Sequence, residues 1–363
     1  MLYIDISKAF DSIVHKKLIG RLRELGIDGL LLKWIEKWLT KRYQAVKING
    51  TLSSFYPVRS GVPQGSVLGP LLFILYMSSL DPILKVCKLK YYADDCKIYM
   101  RVTTQKEALQ FQDEINNIVA WADRVQLKLA FNKCFIVHLN PKKSLNYNYS
   151  MKNVELISKN VIRDLGILID DNLLFEEHIG NVVHKAGIVA NIVLHNFKTK
   201  NSNFLEIAFK TFVRPILEYG NEIIHPHLLK DIIKLEQVQR SFTRRIPSLK
   251  DYNYPERLKK LDLEPLEIRR IKSGLTFIFK ILKGFVLTSN TLEQMPMRSR
   301  RHNQMQLRIE LLRSKQRQSL VVSLISIWNK LSETTTSSST VNDFKKGLEN
   351  ESLSKYCKYR DCL

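Results

Sequence analysis

The stretch Leu89-Lys90-Tyr91-Tyr92-Ala93-Asp94-Asp95-Cys96-Lys97-Ile98-Tyr99 decides the fold class of this chain. Two short runs rich in apolar and aromatic residues flank a pair of acids, which predicts two strands joined by a tight turn. The first residues, Leu2 to Ile6, also read as an apolar strand, and that strand contains Asp5. Because carboxylates in otherwise apolar strands are costly to bury without a neutralising cation, the pattern indicates a candidate two-metal site for phosphoryl transfer.

Outward from this hairpin, the pattern changes character near residue 170. Before that point, helical periodicity over 8–40, 71–80 and 105–125 alternates with strand-like runs, and Asn49-Gly50 is a strong hairpin signal. After Phe175 the pattern is almost wholly helical. We therefore predict an α+β fold with a mixed first part and a helical second part.

The charge of the chain is its second informative property. Fifty-seven Lys and Arg against 35 Asp and Glu give a formal net charge of +22, and both halves are basic. This excess favours a polyanionic partner, nucleic acid before an anionic membrane. Five irregularly spaced cysteines indicate a reducing compartment, and the longest apolar run is too short to cross a bilayer. We expect a nuclear and cytoplasmic protein with no membrane association.

Three motifs then occur in a specific order: Asp5-Ile6-Ser7-Lys8-Ala9-Phe10-Asp11, Ser60-Gly61-Val62-Pro63-Gln64-Gly65-Ser66-Val67-Leu68-Gly69-Pro70 and Tyr92-Ala93-Asp94-Asp95. Together they resemble the palm motifs of reverse transcriptases, in the form used by non-LTR retrotransposons. Residues 121–134 and 164–178 resemble the next two conserved blocks of these enzymes. Residues 213–220 and 327–331 resemble the C-terminal region of jockey-type LINE polyproteins, so that the likeness covers nearly the whole chain.

The resemblance implies an architecture. It implies a right-hand polymerase palm over residues 1–172, which is an antiparallel sheet with packed helices. An all-helical, thumb-like region would follow over 173–290, and a basic helical C-terminal extension with a Thr/Ser-rich loop over 291–363. In this family the fingers precede the first motif, so we expect a fragment that lacks fingers and does not polymerise alone.

The resemblance also implies a chemistry, RNA-directed DNA polymerisation by two-metal nucleotidyl transfer from dNTP to a primer 3′-OH. Asp5, the backbone carbonyl of Ile6, Asp94 and Asp95 would hold two Mg²⁺ ions, with Mn²⁺ as the alternative ion. Since side chains alternate along a strand, we favour Asp94 over Asp95 as the ligand. Lys133 would be the general acid that protonates the pyrophosphate, the alternative being a solvated surface lysine.

Five further residues have implied contacts with nucleotide or primer. Phe10 would be the steric gate that excludes a ribose hydroxyl, although a core phenylalanine is the plainer interpretation. Gln64 and Gly65 would contact the incoming nucleotide, since a glycine lets the backbone approach closely. Tyr92 and Ala93 would flank the primer terminus.

Basic side chains in the second half are candidates for binding the RNA template and DNA primer through phosphates. Arg240, Arg244 and Arg245 are spaced to share one helix face. A second cluster has seven members: Arg298, Arg300, Arg301, Arg308, Arg313, Lys315 and Arg317. We predict no defined protein partner.

A second hypothesis comes from a different class of protein. The chain could be a non-catalytic, host-retained nucleic-acid-binding remnant whose metal site is vestigial. Asp5, Asp94 and Asp95 all persist, which favours the polymerase. A group II intron maturase is disfavoured by the region after residue 175, and an RNA-dependent RNA polymerase by Ala93 and Phe10.

Overall fold

The computed structural model describes residues 1–140, 145, 147–197, 201–226, 228–287, 307 and 320–362. Its chain divides into two compact units. Unit 1 comprises residues 1–162 with 170–173, and unit 2 comprises residues 163–169 with 174–363. The mixed α+β class is confirmed, whereas the assignment of palm, thumb and extension to particular ranges stays a prediction.

Unit 1 contains a five-stranded sheet and three separate two-stranded pairs among its described residues. Its strands are β1 (Leu2–Ile4), β2 (Arg42–Gln44), β3 (Lys47–Ile48), β4 (Thr51–Leu52), β5 (Tyr56–Val58), β6 (Lys88–Tyr92), β7 (Asp95–Tyr99), β8 (Phe135–Ile136), β9 (Ser150–Met151), β10 (Val154–Glu155) and β11 (Ile157–Ser158). The sheet has the order β11-β8-β1-β7-β6, in which β1 pairs antiparallel with both β7 and β8. The prediction of an antiparallel sheet is wrong for β11, which pairs with β8 in parallel. The chain passes between the units through the paired strands β12 (Val161–Asp164) and β13 (Ile167–Asp170).

Five helices belong to unit 1: α1 (Ala9–Ser12), α2 (His15–Glu24), α3 (Gly29–Leu39), α4 (Leu68–Met77) and α5 (Gln105–Val125). The helical pattern over 8–40 thus becomes three helices. The prediction of a helix over 105–125 is confirmed at both ends. A capping box fixes the start of this helix, because the Thr104 hydroxyl accepts a hydrogen bond from the Glu107 amide.

Alternation along the strands gives the five-stranded sheet one buried face and one more open face. Leu2 and Ile4 of β1, with Cys96 and Ile98 of β7, point into the core. Helices α4 and α5 contribute the large side chains that cover this face: Phe73, Tyr76, Phe111 and Trp121. Tyr3, Asp5 and Lys97 alternate with the buried residues and therefore lie on the open face.

The described part of unit 2 is helical apart from its segment of the β12–β13 pair, as the sequence predicted. Its helices are α6 (Glu176–Asn196), α7 (Ser202–Ala208), α8 (Arg214–Glu218), α9 (Leu229–Arg244), α10 (Tyr254–Lys260), α11 (Leu266–Leu282), α12 (Leu320–Trp328), α13 (Glu333–Thr336) and α14 (Val341–Glu349), with a π-helical turn at Phe209–Val213. One apolar cluster joins α6 to α11, and another joins α11 to α12 and α14. No helix among the described residues is long and apolar enough to cross a membrane.

Candidate active site

Strand pairing brings the acids of the first and third motifs to the same end of the sheet. Ile4, the last residue of β1, lies opposite Cys96 of β7 in antiparallel register, so Asp5 directly follows the end of β1 rather than lying within it, and Asp95 directly precedes Cys96. Opposite residues of an antiparallel pair project from the same face, which is here the open face. Asp94 is the second residue of the two-residue turn between β6 and β7. The register therefore places Asp95 nearer to Asp5 along the ladder than Asp94.

The backbone of Asp5 is hydrogen-bonded to the segment that leads into β8. The Asp5 amide donates to the Cys134 sulfur at 3.4 Å, and the Asp5 carbonyl accepts from the Ala130 amide at 2.9 Å. Burial raises the pKa of the Cys134 thiol, so the sulfur stays protonated and neutral near pH 7. Lys133 precedes Cys134 and is exposed at the end of a single 3₁₀ turn, so its role as general acid stays a prediction.

The acids offer oxygen ligands of the kind that Mg²⁺ prefers. Magnesium is commonly held by one or two carboxylates together with substrate phosphates and water. Asp5 and the Asp94–Asp95 pair match that donor chemistry. Among the residues that the structure describes, however, no group of three or more His, Cys, Asp or Glu side chains is placed to hold a metal ion by itself.

The glycine-rich second motif is hydrogen-bonded to α1 and to the residues that follow this helix. The Gly61 amide donates to the Ile13 carbonyl at 2.8 Å, and the Gly61 carbonyl lies 2.8 Å from His15 Nε2. Gln64 Nε2 donates to Asp11 Oδ1 at 2.9 Å. These hydrogen bonds hold the loop against α1 and the residues that follow it. His15 and Asp11 are thus hydrogen-bonding partners of this loop.

Phe10 occupies the junction between α1 and α4. Its half-buried ring stacks on Phe73, with 4.4 Å between ring centroids and 23° between planes. This contact fits both the gate and the core interpretation, so its role at the nucleotide stays a prediction. In the hairpin turn, Ala93 has a left-handed backbone with φ 53°, and the neighbouring Tyr92 side chain is 70 % exposed.

With this geometry established, comparison with known proteins identifies the family. The profile of the reverse transcriptase (RNA-dependent DNA polymerase) family matches residues 1–169, which include all three motifs. These residues belong to the reverse transcriptase family. We call them the reverse transcriptase domain.

Similar proteins come from Drosophila melanogaster mobile elements. The RNA-directed DNA polymerase from mobile element jockey is 25% identical over 257 residues, covering 67% of this chain and 28% of that protein. The probable RNA-directed DNA polymerase from transposon X-element is 27% identical over 256 residues, covering 68% and 28%. The chain is thus related to the reverse transcriptases of non-LTR retrotransposons, and it spans between a quarter and a third of the length of these relatives.

A solved structure of telomerase from Candida albicans, in complex with a fragment of telomeric RNA, also matches. The match covers 76% of this chain and 48% of that chain, at 14% sequence identity and a TM-score of 0.35. At that score the likeness carries no argument about the arrangement of the units.

The arginines predicted to bind nucleic acid fall into two groups. Arg240 donates to the Tyr359 hydroxyl at 2.5 Å and lies over the Tyr254 ring, and Arg245 donates to Asn191. Arg244 is exposed on the last turn of α9. Internal contacts therefore engage two of the three side chains. The second cluster lies outside the described residues: Arg298, Arg300, Arg301, Arg308, Arg313, Lys315 and Arg317.

Sequence reasoning missed the residues that position the candidate site. Cys134 supports the Asp5 backbone, and Gly61 and Asp11 join the second motif to the first. Each makes its contact across more than 45 residues of chain. No local pattern marks such contacts, although the glycine at position 61 within a motif was a signal that a close backbone approach was required.

Proposed function

We propose that this chain supplies the catalytic palm of an RNA-directed DNA polymerase, which extends a DNA primer on an RNA template by nucleotidyl transfer from dNTP. The observation that carries the proposal is the register of β1 and β7. The last pair of that register, Ile4 with Cys96, is followed by Asp5 and preceded by Asp95, which supports a shared site for Asp5 and the acid pair of the Tyr92–Asp95 hairpin. Two acids that lie ninety residues apart in sequence then become neighbours at one possible reaction centre.

The metals expected at this centre are Mg²⁺ ions held by Asp5 and by Asp94 or Asp95, with the carbonyl of Ile6 as a further ligand. Bound there, such ions lower the pKa of the attacking hydroxyl and stabilise the leaving pyrophosphate. The protein's own groups would orient the substrates. The Gln64–Asp11 contact and the Phe10–Phe73 stack hold the loop that would receive the nucleotide. Lys133 would supply a proton to the pyrophosphate.

Primer extension tests the proposal directly. The chain would be incubated with Mg²⁺, dNTPs and a DNA primer on an RNA template, alongside Asp5→Asn, Asp94→Asn and Asp95→Asn. We expect losses of roughly 100-fold or more, because a lost metal ligand removes several kcal/mol of transition-state stabilisation. Asp113→Asn, an exposed acid on α5, is the matched control. Extension that survives all three site substitutions would refute the assignment.

The same assay tests the expectation that the chain alone does not extend primers. Should extension be absent, the metal site has an independent readout in thermal unfolding. We expect Mg²⁺ with dNTP to raise the unfolding temperature of the parent chain and of Asp113→Asn, because a ligand that binds only the folded state stabilises it. The shift should disappear in Asp5→Asn.

The second candidate is a nucleic-acid-binding protein without catalysis, and the formal net charge of +22 is the observation that favours it. Under that hypothesis, RNA binding would be salt-sensitive and indifferent to Mg²⁺, and no dNTP-dependent stabilisation would occur. The two sets of results do not overlap, so thermal unfolding decides between the hypotheses even where extension fails.

A further inference from the structure

Helix α3 and the ribbon of β2 and β5 present an unusual surface within unit 1. Its apolar and aromatic side chains are exposed, although α3 also has a buried side, formed by Leu32, Ile35 and Leu39. The most exposed large residues of this surface are Leu30, Leu31, Trp34, Tyr43, Phe55 and Tyr56. Contiguous exposed apolar surface of this kind is typical of a binding site.

Two aromatic rings of this surface are stacked, and an arginine extends the stack toward the ribbon. The rings of Trp34 and Trp38, one helical turn apart, are stacked with 6.2 Å between centroids and 9° between planes. The Arg42 guanidinium continues the stack, 5.7 Å from the centroid of the Trp38 ring. In the ribbon, Gln44 pairs with Tyr56, so Arg42 and Tyr56 project from the same face. We call Trp34, Trp38, Arg42 and Tyr56 the aromatic line.

The charge beside the aromatic line identifies the kind of occupant. Residues 29–60 contain six basic side chains and a single acid, Glu36. Lys33 and Lys37 stand next to the two tryptophans along α3, and both are exposed. Exposed rings interleaved with cations are the combination that binds single-stranded nucleic acid, with bases on the rings and phosphates on the cations. A polypeptide occupant would need apolar groups and a matching excess of acids.

We propose that the aromatic line binds single-stranded nucleic acid by base stacking, as a second site separate from the acids of the sheet. The site needs no divalent metal, since its contacts are ring faces and ammonium or guanidinium groups. It does not rest on the proposed polymerase activity. A chain with a vestigial metal site would retain it.

Tryptophan fluorescence makes the test local to this surface. Of the four tryptophans, Trp121 and Trp328 are 1% and 0% exposed, whereas Trp34 is 51% exposed. Bases that stack on the aromatic line should therefore quench Trp34 and Trp38 and leave the buried pair unaffected. The probes are a 12-nucleotide uridine RNA and the matching thymidine DNA, titrated without Mg²⁺. We expect quenching with both, and equally in Asp94→Asn.

Variants then separate stacking from charge. Tyr56→Ser should weaken binding roughly tenfold, within the range for the removal of one base–ring stack. Phe285→Ser, which removes an exposed ring from unit 2, should leave it unchanged. Lys33→Gln with Lys37→Gln should reduce the slope of log affinity against log salt by about 0.7 for each phosphate that the protein no longer neutralises. The exposed pair Lys345 and Lys346 on α14, changed in the same way, is the matched control.

Two results would overturn the proposal. The first is that neither oligonucleotide quenches the tryptophan fluorescence at low salt. The second is quenching that Tyr56→Ser and the Lys33/Lys37 changes leave untouched while each variant keeps the parent far-UV circular dichroism. Concentration-dependent self-association that Trp34→Ala abolishes, in a chain that shows no quenching, would instead assign this surface to a second copy of the chain.

Discussion

Gly61 provides the sharpest test of how the second motif is attached to the first. Its backbone is left-handed with φ +85°, and a Cβ added there would lie 2.8 Å from Asp11 Cα and 2.9 Å from the Asp11 carbonyl oxygen. Both neighbours are backbone atoms in a segment that hydrogen-bonds the same loop, so neither can move aside alone. Gly61→Ala therefore imposes conformational strain and a steric clash together.

Gly65 supplies the matched control four residues later. It is also left-handed, with φ +78°, but a Cβ there would meet nothing within 4 Å. Gly65→Ala should cost only the left-handed strain, about 1 kcal/mol. Gly61→Ala adds overpacking against fixed backbone, for which about 1–3 kcal/mol is typical, and should cost about 2–4 kcal/mol in all.

The assay is hydrogen exchange measured by mass spectrometry, with urea unfolding of the same variants as a global measure. In Gly61→Ala, peptides that cover α1 and the start of α4 should lose protection, because their bonds to the loop break. In Gly65→Ala those peptides should keep nearly the parent protection. Equal losses in the two variants would refute the close approach of the loop to α1.

Three further predictions concern other parts of the chain. Burial, together with the positive charges of Lys185 and Arg163, lowers the pKa of His178 in the folded chain. As the pH drops below about 6.5, the imidazole is therefore protonated in the unfolded chain before it is protonated in the folded one, and the free energy of unfolding should fall. In urea titrations at several pH values, His178→Gln should weaken this dependence, whereas His195→Gln at an exposed position should not. Thr104→Ala removes the cap of α5 and should cost about 1 kcal/mol by thermal unfolding, with Thr104→Ser near the parent value. The Glu267 carboxylate accepts hydrogen bonds from the Lys358 and Tyr359 amides, so Glu267→Ala should speed tryptic cleavage near the C-terminus. Glu333→Ala, at an exposed position, should leave the cleavage rate unchanged, and equal rates in the two variants would contradict the Glu267 hydrogen bonds.

Much of the fold could be predicted from local pattern. The hairpin around Asp94 and Asp95, the extent of α5 and the helical character of unit 2 each depend on periodicity, capping and turn residues that are neighbours in sequence. The family followed from three short motifs in order, which the match over residues 1–169 supports. Gly26 and Gly29 mark the break between α2 and α3, as glycines in a helical pattern predict, whereas no glycine or proline marks the break between α1 and α2.

The sequence by itself determined which chemical groups this protein carries, since acids, glycines and aromatic residues at set spacings are read without knowing where the chain turns. Only the tertiary structure decided which of those groups meet. Strand register put Cys96 opposite Ile4, next to Asp95 and Asp5, Gln64 donated a hydrogen bond to Asp11, and α3 buried one side while it left Trp34 at the surface. Register and burial arise from contacts between residues far apart along the chain, where a slip of one position reverses every side chain, so no local pattern fixes them.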